Sequence, residues 1–260
     1  MRRFRNILVF CLAFISACQI RPANLMQEAE NLYLKNQYRE SVKVFLQIVD
    51  RYPGTKDAEV ALLRVGQTFM LNLSNPQNAL EYFTRLVTEY PNGERVAQAR
   101  ESMAAIYEKN MRDYDKAIEQ YRLLLDMSSV QDPEKYMLAV GRCYYLKEDY
   151  KQAIAEFHKI VEKYPNSRFA AEAEYQIGNC FFVASKCEDA IRQYNRVLEK
   201  YPDNKYRNDI LLSLGVCMED REDYANALKL YKELEDKYEN KALIKRKIDS
   251  VMVRIKNKHR

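Results

Sequence analysis

Apolar side chains recur along this chain at helical spacing, and the pattern itself repeats. A small residue stands at Ala29, Gly66, Ala104, Gly141, Gly178 and Gly215, at intervals of 37 or 38 residues. Twelve or thirteen positions after each comes a second small residue: Ser41, Ala79, Ala117, Ala153, Ala190 and Ala227. Four residues beyond that is an aromatic (Phe45, Phe83, Tyr121, Phe157, Tyr194, Tyr231), and seven beyond is an aliphatic (Ile48, Leu86, Leu124, Ile160, Val197, Leu234). Offsets of four and seven share one face of a helix, so each copy is expected to hold a helix B with this stripe. Helix A is the segment around the first small residue, with a large apolar residue three positions on: Leu32, Phe69, Tyr107, Tyr144, Phe181 and Met218. Small residues facing large ones let two helices approach closely, so six helical hairpins are predicted.

The punctuation agrees. Asn75 precedes Pro76, and Asp113, Asp149 and Asp223 hold the same slot, where a side-chain oxygen caps the orphan amides of helix B. Helix B is expected to stop at Tyr52-Pro53, Tyr90-Pro91, Tyr164-Pro165 and Tyr201-Pro202, because the residue before proline is pushed out of the α region. The third copy departs most: Ala104 replaces glycine, Ser128-Ser129 replaces Tyr-Pro, and MSSVQDPEKY reads as a longer connection. A bend between copies 1–3 and 4–6 is one reading of it.

The order small, aromatic, small, aromatic, aliphatic, proline resembles the tetratricopeptide repeat. That resemblance implies an all-α fold, a right-handed superhelical solenoid of about six hairpins over residues 25–240, with partners bound on the concave face. A hairpin cannot bury its apolar face alone, so copies stack and the last one needs a cap. Residues 241–260 supply it: Ile244, Ile248, Val251, Met252 and Ile255 form a stripe on a basic capping helix and tail. Its polar face is either simply solvated or a contact for anionic headgroups or an acidic partner.

The start differs in kind. Three arginines precede an apolar run from Ile7 to Ile15 and then small residues, the layout of a secretory signal over residues 1–17 and too short for a comfortable span. Ile15, Ser16, Ala17 and Cys18 resemble the lipobox of bacterial lipoproteins. The resemblance implies that Cys18 is lipidated, palmitate included, and that residues 18–24 form a short tether; a signal peptide without lipidation is the alternative. Several acyl chains exceed what stable anchoring requires.

Removing residues 1–17 takes away Arg2, Arg3 and Arg5 and no acid, so the net charge falls from +5 to +2. Without a concentrated basic surface, a nucleic-acid partner is not expected.

Only two histidines, His158 and His259, are present, so one chain cannot assemble a His-based triad or a multi-His metal site. No phosphate-binding, dinucleotide or hydrolase motif occurs. The acidic pairs Glu219-Asp220 and Glu222-Asp223 read as solvated turn residues. No catalytic residue, cofactor, metal or small-molecule substrate is therefore expected. Cys143, Cys180 and Cys217 each follow a repeat glycine by two positions, in a slot usually held by alanine in tetratricopeptide repeats. They read as small core residues, as does Cys187, since stacked A helices lie roughly 8–10 Å apart, too far for a disulfide.

Helix A residues four and five past the small residue normally face the concave side in this repeat family. They are Tyr33-Leu34, Met70-Leu71, Tyr145-Leu146 and Phe182-Val183, against Glu108-Lys109 and Glu219-Asp220 in copies 3 and 6. Three residues before the repeat glycine, where carboxylate-clamp relatives place lysine, this chain has Leu63, Leu138, Tyr175 and Leu212. The partner-binding candidates are thus Tyr33, Met70, Leu138, Tyr145, Tyr175 and Phe182. Two readings stand: anchors for an extended or helical peptide, or packing against the neighbouring hairpin.

A lipid-anchored solenoid with Tyr-Pro repeat ends resembles the BamD/YfiO (ComL) group of outer-membrane assembly lipoproteins. The resemblance implies an interaction scaffold for cell-envelope proteins, engaged in β-barrel protein assembly. Type IV pilotins, lipoproteins with about six such repeats, are the alternative, as a secretion or pilus accessory. Gln19 after the lipidated cysteine, under the enterobacterial sorting rule, implies the periplasmic face of the outer membrane, or the outer face of the cell membrane in a source lacking an outer membrane.

Overall fold

The computed structural model describes residues 21–128 and 130–258. The signal read over residues 1–17 and the lipidation residue Cys18 lie outside the described residues.

The described chain is all-helical and falls into two compact units, divided between Arg95 and Val96. The first holds α1 (Pro22–Leu34), α2 (Tyr38–Arg51), α3 (Lys56–Leu71) and α4 (Pro76–Glu89). The second holds α5 (Val96–Ile106), a π-helical turn (Tyr107–Met111), α6 (Tyr114–Leu125), α7 (Pro133–Leu146), α8 (Tyr150–Lys163), α9 (Ala170–Val183), α10 (Cys187–Lys200), α11 (Arg207–Asp220), α12 (Tyr224–Leu234) and α13 (Lys241–Lys258). Within each unit consecutive helices pack on one another. The hairpins are α1/α2 and α3/α4, then α5/α6, α7/α8, α9/α10 and α11/α12, with α13 covering the last. Helix α1 begins at Pro22, inside the segment read as a tether, because proline suits the first helical position.

The capping side chains act as the sequence indicates. Asn75, Asp113, Asp149 and Asp223 accept from the amides of Asn78, Lys116, Gln152 and Asn226 at 3.1–3.3 Å. Tyr52, Tyr90, Tyr164 and Tyr201 each end a B helix outside the α region, with φ near -130° and ψ of 50–68°. The repeated small and large residues form the core: Ala29, Phe45, Phe83, Phe157, Tyr194 and Tyr231 are fully buried.

The third copy is the first hairpin of the second unit and packs on the fourth through α6 and α7. Its connection after α6 stays attached, with Met127 and Val130 packed on the cluster around Tyr121 and Tyr136, so the bend expected after copy 3 is not where the chain divides. Copies 2 and 3 each carry one extra residue between their two small residues. Copy 2 takes it up in the loop before Asn75, whereas copy 3 takes it up as the π turn, a known way to absorb an insertion.

Helix α13 buries Ile244, Ile248 and Val251 against Tyr231, Leu234 and Ile210. Met252, expected in the same stripe, is instead exposed at 52%, beside Val253 at 58%. Position 251 lies seven residues after Ile244, almost back on its face, and 252 is rotated a further 100° away. No helix among the described residues is long and apolar enough to cross a membrane.

Candidate interaction surface

In copies 1, 2, 4 and 5 the A helix ends five positions past its small residue, and there an apolar side chain meets solvent. Leu34 and Leu71 in the first unit are 76% and 64% exposed; Leu146 and Val183 in the second are 44% and 45% exposed. The chain then turns through a left-handed residue, Asn36, Ser74, Glu148 or Ser185, which closes the hairpin and leaves the preceding side chain at its tip. Large aliphatics repeated at one exposed position are unusual, since exposure gives no burial gain.

The neighbouring position, four past the small residue, is half-buried and packed. The Tyr33 hydroxyl donates to Asn72 Oδ1 at 3.0 Å, and its ring meets Tyr38 edge-on with centroids 5.3 Å apart. The ring of Tyr145 meets Tyr150 in the same way at 5.6 Å, and burial pushes its hydroxyl pKa up. Phe182 packs on the cluster containing Tyr194 and Tyr231. Met70 is half-buried at the end of α3. Tyr33, Tyr145 and Phe182 are thus packed against neighbouring side chains and Met70 is half-buried, while the free apolar surface lies one residue on, at Leu34, Leu71, Leu146 and Val183.

The remaining candidates have less to offer a partner. Leu138 is only 6% exposed and belongs to the core with Phe157 and Ile177. The Tyr175 ring is stacked on Tyr206 with centroids 4.3 Å apart. Tyr33 and Met70 lie in the first unit, and Leu138, Tyr145, Tyr175 and Phe182 in the second.

Copies 3 and 6 differ from expectation. Glu108 and Glu219, which the sequence suggests are a solvated polar step, are both buried. Glu108 accepts from the Tyr121 hydroxyl at 2.7 Å and from Arg142 Nε at 3.0 Å. Glu219 accepts from the Tyr231 hydroxyl at 2.6 Å and from Lys247 Nζ of α13 at 2.8 Å. A buried carboxylate is tolerable only when paired and hydrogen-bonded, and each has both a cation and a hydroxyl. Burial, and then the adjoining carboxylate, push the Tyr121 and Tyr231 pKa values well up. The sequence carries part of the signal: the B-helix aromatic is tyrosine where the A helix offers Glu108 or Glu219 and phenylalanine where it offers Tyr33, Met70 or Tyr145, whereas Tyr194, opposite Phe182, donates to Asn179 Oδ1 at 2.7 Å instead.

Between these elements the second unit has a groove of about 300 Å³ across α5, α7 and α9, lined in part by Glu101, Lys109, Lys135, Tyr136 and Arg142. Lys135 pairs with Glu101 at 2.5 Å and Arg142 with Glu108, so its charges are largely matched internally. No group of three or more metal-liganding side chains occurs among the described residues.

Stacked hairpins with these small and aromatic positions define a tetratricopeptide-repeat protein. Two family models match: soluble NSF attachment protein, SNAP, over residues 21–170, and tetratricopeptide repeat over residues 171–242. The first spans more than half of the chain, which therefore belongs to the soluble NSF attachment protein family, with its later hairpins matching the tetratricopeptide repeat itself. Comparison with curated proteins gives no match. Among solved structures, PilW, described as a widely conserved type IV pilus biogenesis factor, is 14% identical with a TM-score of 0.56, over 89% of this chain and 98% of that one. PilF of Pseudomonas aeruginosa is 13% identical with a TM-score of 0.53, over 89% and 96%. YrrB, a tetratricopeptide protein with an unusual peptide-binding site, is 17% identical with a TM-score of 0.54, over 77% and 95%. At such identities the likeness is one of fold.

Proposed function

We propose that this chain is a non-catalytic interaction scaffold of the bacterial cell envelope, anchored through lipid on Cys18 and binding protein partners along its A-helix ends. One observation carries the binding role: large aliphatic side chains stand exposed at the same repeat position in four hairpins. Tyr33, Tyr145 and Phe182 beside them are held by packing, so within each unit a partner segment meets ordered apolar surface at little ordering cost. The partner class that suits it is a peptide or helix with spaced apolar anchors. The matched family is named soluble NSF attachment protein, a name that agrees with a binding role.

The envelope setting rests on the leader and on Cys18 in its lipobox context, with Gln19 favouring the periplasmic face of the outer membrane. Two assembly pathways fit such a lipoprotein. Outer-membrane β-barrel assembly follows from the resemblance to the BamD group, and a pilus or secretion accessory gains support from PilW and PilF among the structures of like fold. Recovery of the intact lipoprotein from membranes with its bound proteins separates them. A β-barrel assembly protein in the complex supports the first and a secretin or pilus component the second, while a partner-free monomer contradicts both. For the anchor, Cys18→Ala should abolish metabolic lipid labelling; labelling that persists contradicts it.

A further inference from the structure

Cys187 is the one described cysteine that is not fully in the core, and it does not stand alone. It occupies the first turn of α10, half-buried, at the tip of the fifth hairpin. Its thiol donates to Asp220 Oδ2 at 3.5 Å, across to the last turn of α11. Asp220 lies three residues after Cys217, and residues three apart on a helix are neighbours on its surface. Cys187 and Cys217 accordingly pack in one cluster with Tyr231 and Phe182. The separation of roughly 8–10 Å between stacked A helices does not keep these two cysteines apart. Cys187 belongs to a B helix, and α10 and α11 are in contact.

We propose that Cys187 and Cys217 are a reversible disulfide site that ties the fifth hairpin to the sixth. The oxidant is a disulfide-bearing molecule, a protein disulfide or glutathione disulfide. Cys187, the accessible partner, loses its proton and attacks one sulfur of that disulfide, releasing one thiol and forming a mixed disulfide. Cys217 then loses its proton and attacks the Cys187 sulfur, expelling the second thiol. Two cysteines are oxidised, one external disulfide is reduced to two thiols, and the protein loses two hydrogens. The Cys187 proton leaves to solvent, since the Asp220 carboxylate that accepts from the thiol holds the proton on sulfur rather than removing it. Burial raises both thiol pKa values, so the dithiol closes slowly at neutral pH and faster as pH rises. In an extracytoplasmic setting, oxidising conditions favour the closed form. Closure would fix the A-helix end that carries Phe182 and Val183 relative to α11.

The test uses the full chain, reduced and then incubated with excess glutathione disulfide, quenched in acid, alkylated under denaturing conditions and mapped by mass spectrometry. The expected result is a linked pair of peptides containing Cys187 and Cys217, with Cys143 and Cys180 recovered alkylated. Dithiothreitol should return both peptides to the alkylated form. Cys187→Ser should abolish the link, and Cys217→Ser should leave Cys187 as a glutathione adduct. Recovery of both peptides alkylated from the folded wild-type chain would overturn the proposal, as would a link formed only between two copies of the chain.

Discussion

The ring of Phe157 lies 2.5 Å from the point that a β-carbon on Gly141 would occupy. Gly66 and Phe83, and Gly178 and Tyr194, meet in the same way. Glycine in mid-helix normally costs about 1 kcal/mol relative to alanine, and here it is kept because helix B presses its ring onto helix A. Gly141→Ala should therefore destabilise the chain by about 1–3 kcal/mol, the usual range for overpacking, although the helix propensity improves. Urea unfolding checks this, and a double-mutant cycle with Phe157→Leu should show coupling between the two sites. A more stable Gly141→Ala variant would mean that the close approach is not what selects glycine.

The pairing of tyrosine with a buried glutamate gives two opposite expectations at one repeat position. Tyr121→Phe removes a donor from buried Glu108 and should cost about 1–2 kcal/mol. In the next copy Tyr145 stands where Glu108 does, so Phe157→Tyr would bury a hydroxyl without that acceptor. It should cost about 1–3 kcal/mol. Denaturant midpoints of the two variants settle whether hydroxyl and carboxylate are matched copy by copy.

Much of this was legible beforehand because it depends on local rules. Asn75 and Asp149 cap where they do because a short side-chain oxygen before a helical run has one good acceptor geometry. The small and aromatic stripes fixed the hairpins for the same kind of reason. What the sequence could not resolve is which of two adjacent apolar residues faces out, since Tyr145 and Leu146 are one residue apart at a helix end where neighbouring copies decide burial. Likewise Glu219 reads as solvated until α13 is seen to bring Lys247 to it. The meeting of Cys187 with Cys217 depends on how a B helix stacks on the next A helix, which repeat spacing does not state.

The buried thiols predict an alkaline limit. Burial pushes the Cys143 and Cys180 pKa values from 9.0 up to about 12. The folded state thus holds these protons where the unfolded chain has released them. Their contribution is complete below about pH 9 and is lost as pH rises from 9 towards about 12. Buried Tyr121, Tyr194 and Tyr231 act in the same direction above about pH 10. Urea midpoints measured under reductant should fall across this window, and the fall should be shallower in a Cys143→Ala/Cys180→Ala variant.

Helix α13 is expected to behave as a cap whose loss is felt in the last hairpin. Ile244 is fully buried against that hairpin, so Ile244→Ala should cost about 2–5 kcal/mol. Hydrogen exchange should rise first in α11 and α12, because stability in stacked repeats propagates between neighbours. Met252→Ser, on the exposed side, should change stability by less than about 0.5 kcal/mol.

Binding of a protein partner at the exposed A-helix ends can be read directly. Site-specific photocrosslinking in cells of the source organism tests it, with the probe at Leu71 or Leu146, and at exposed Lys229 of α12 as a control. Discrete protein adducts are expected from Leu71 and Leu146, absent at Lys229, and lost when the neighbouring Leu34 or Val183 is changed to lysine while the chain stays folded. Adducts that are missing at both positions, or equally strong at Lys229, would contradict it.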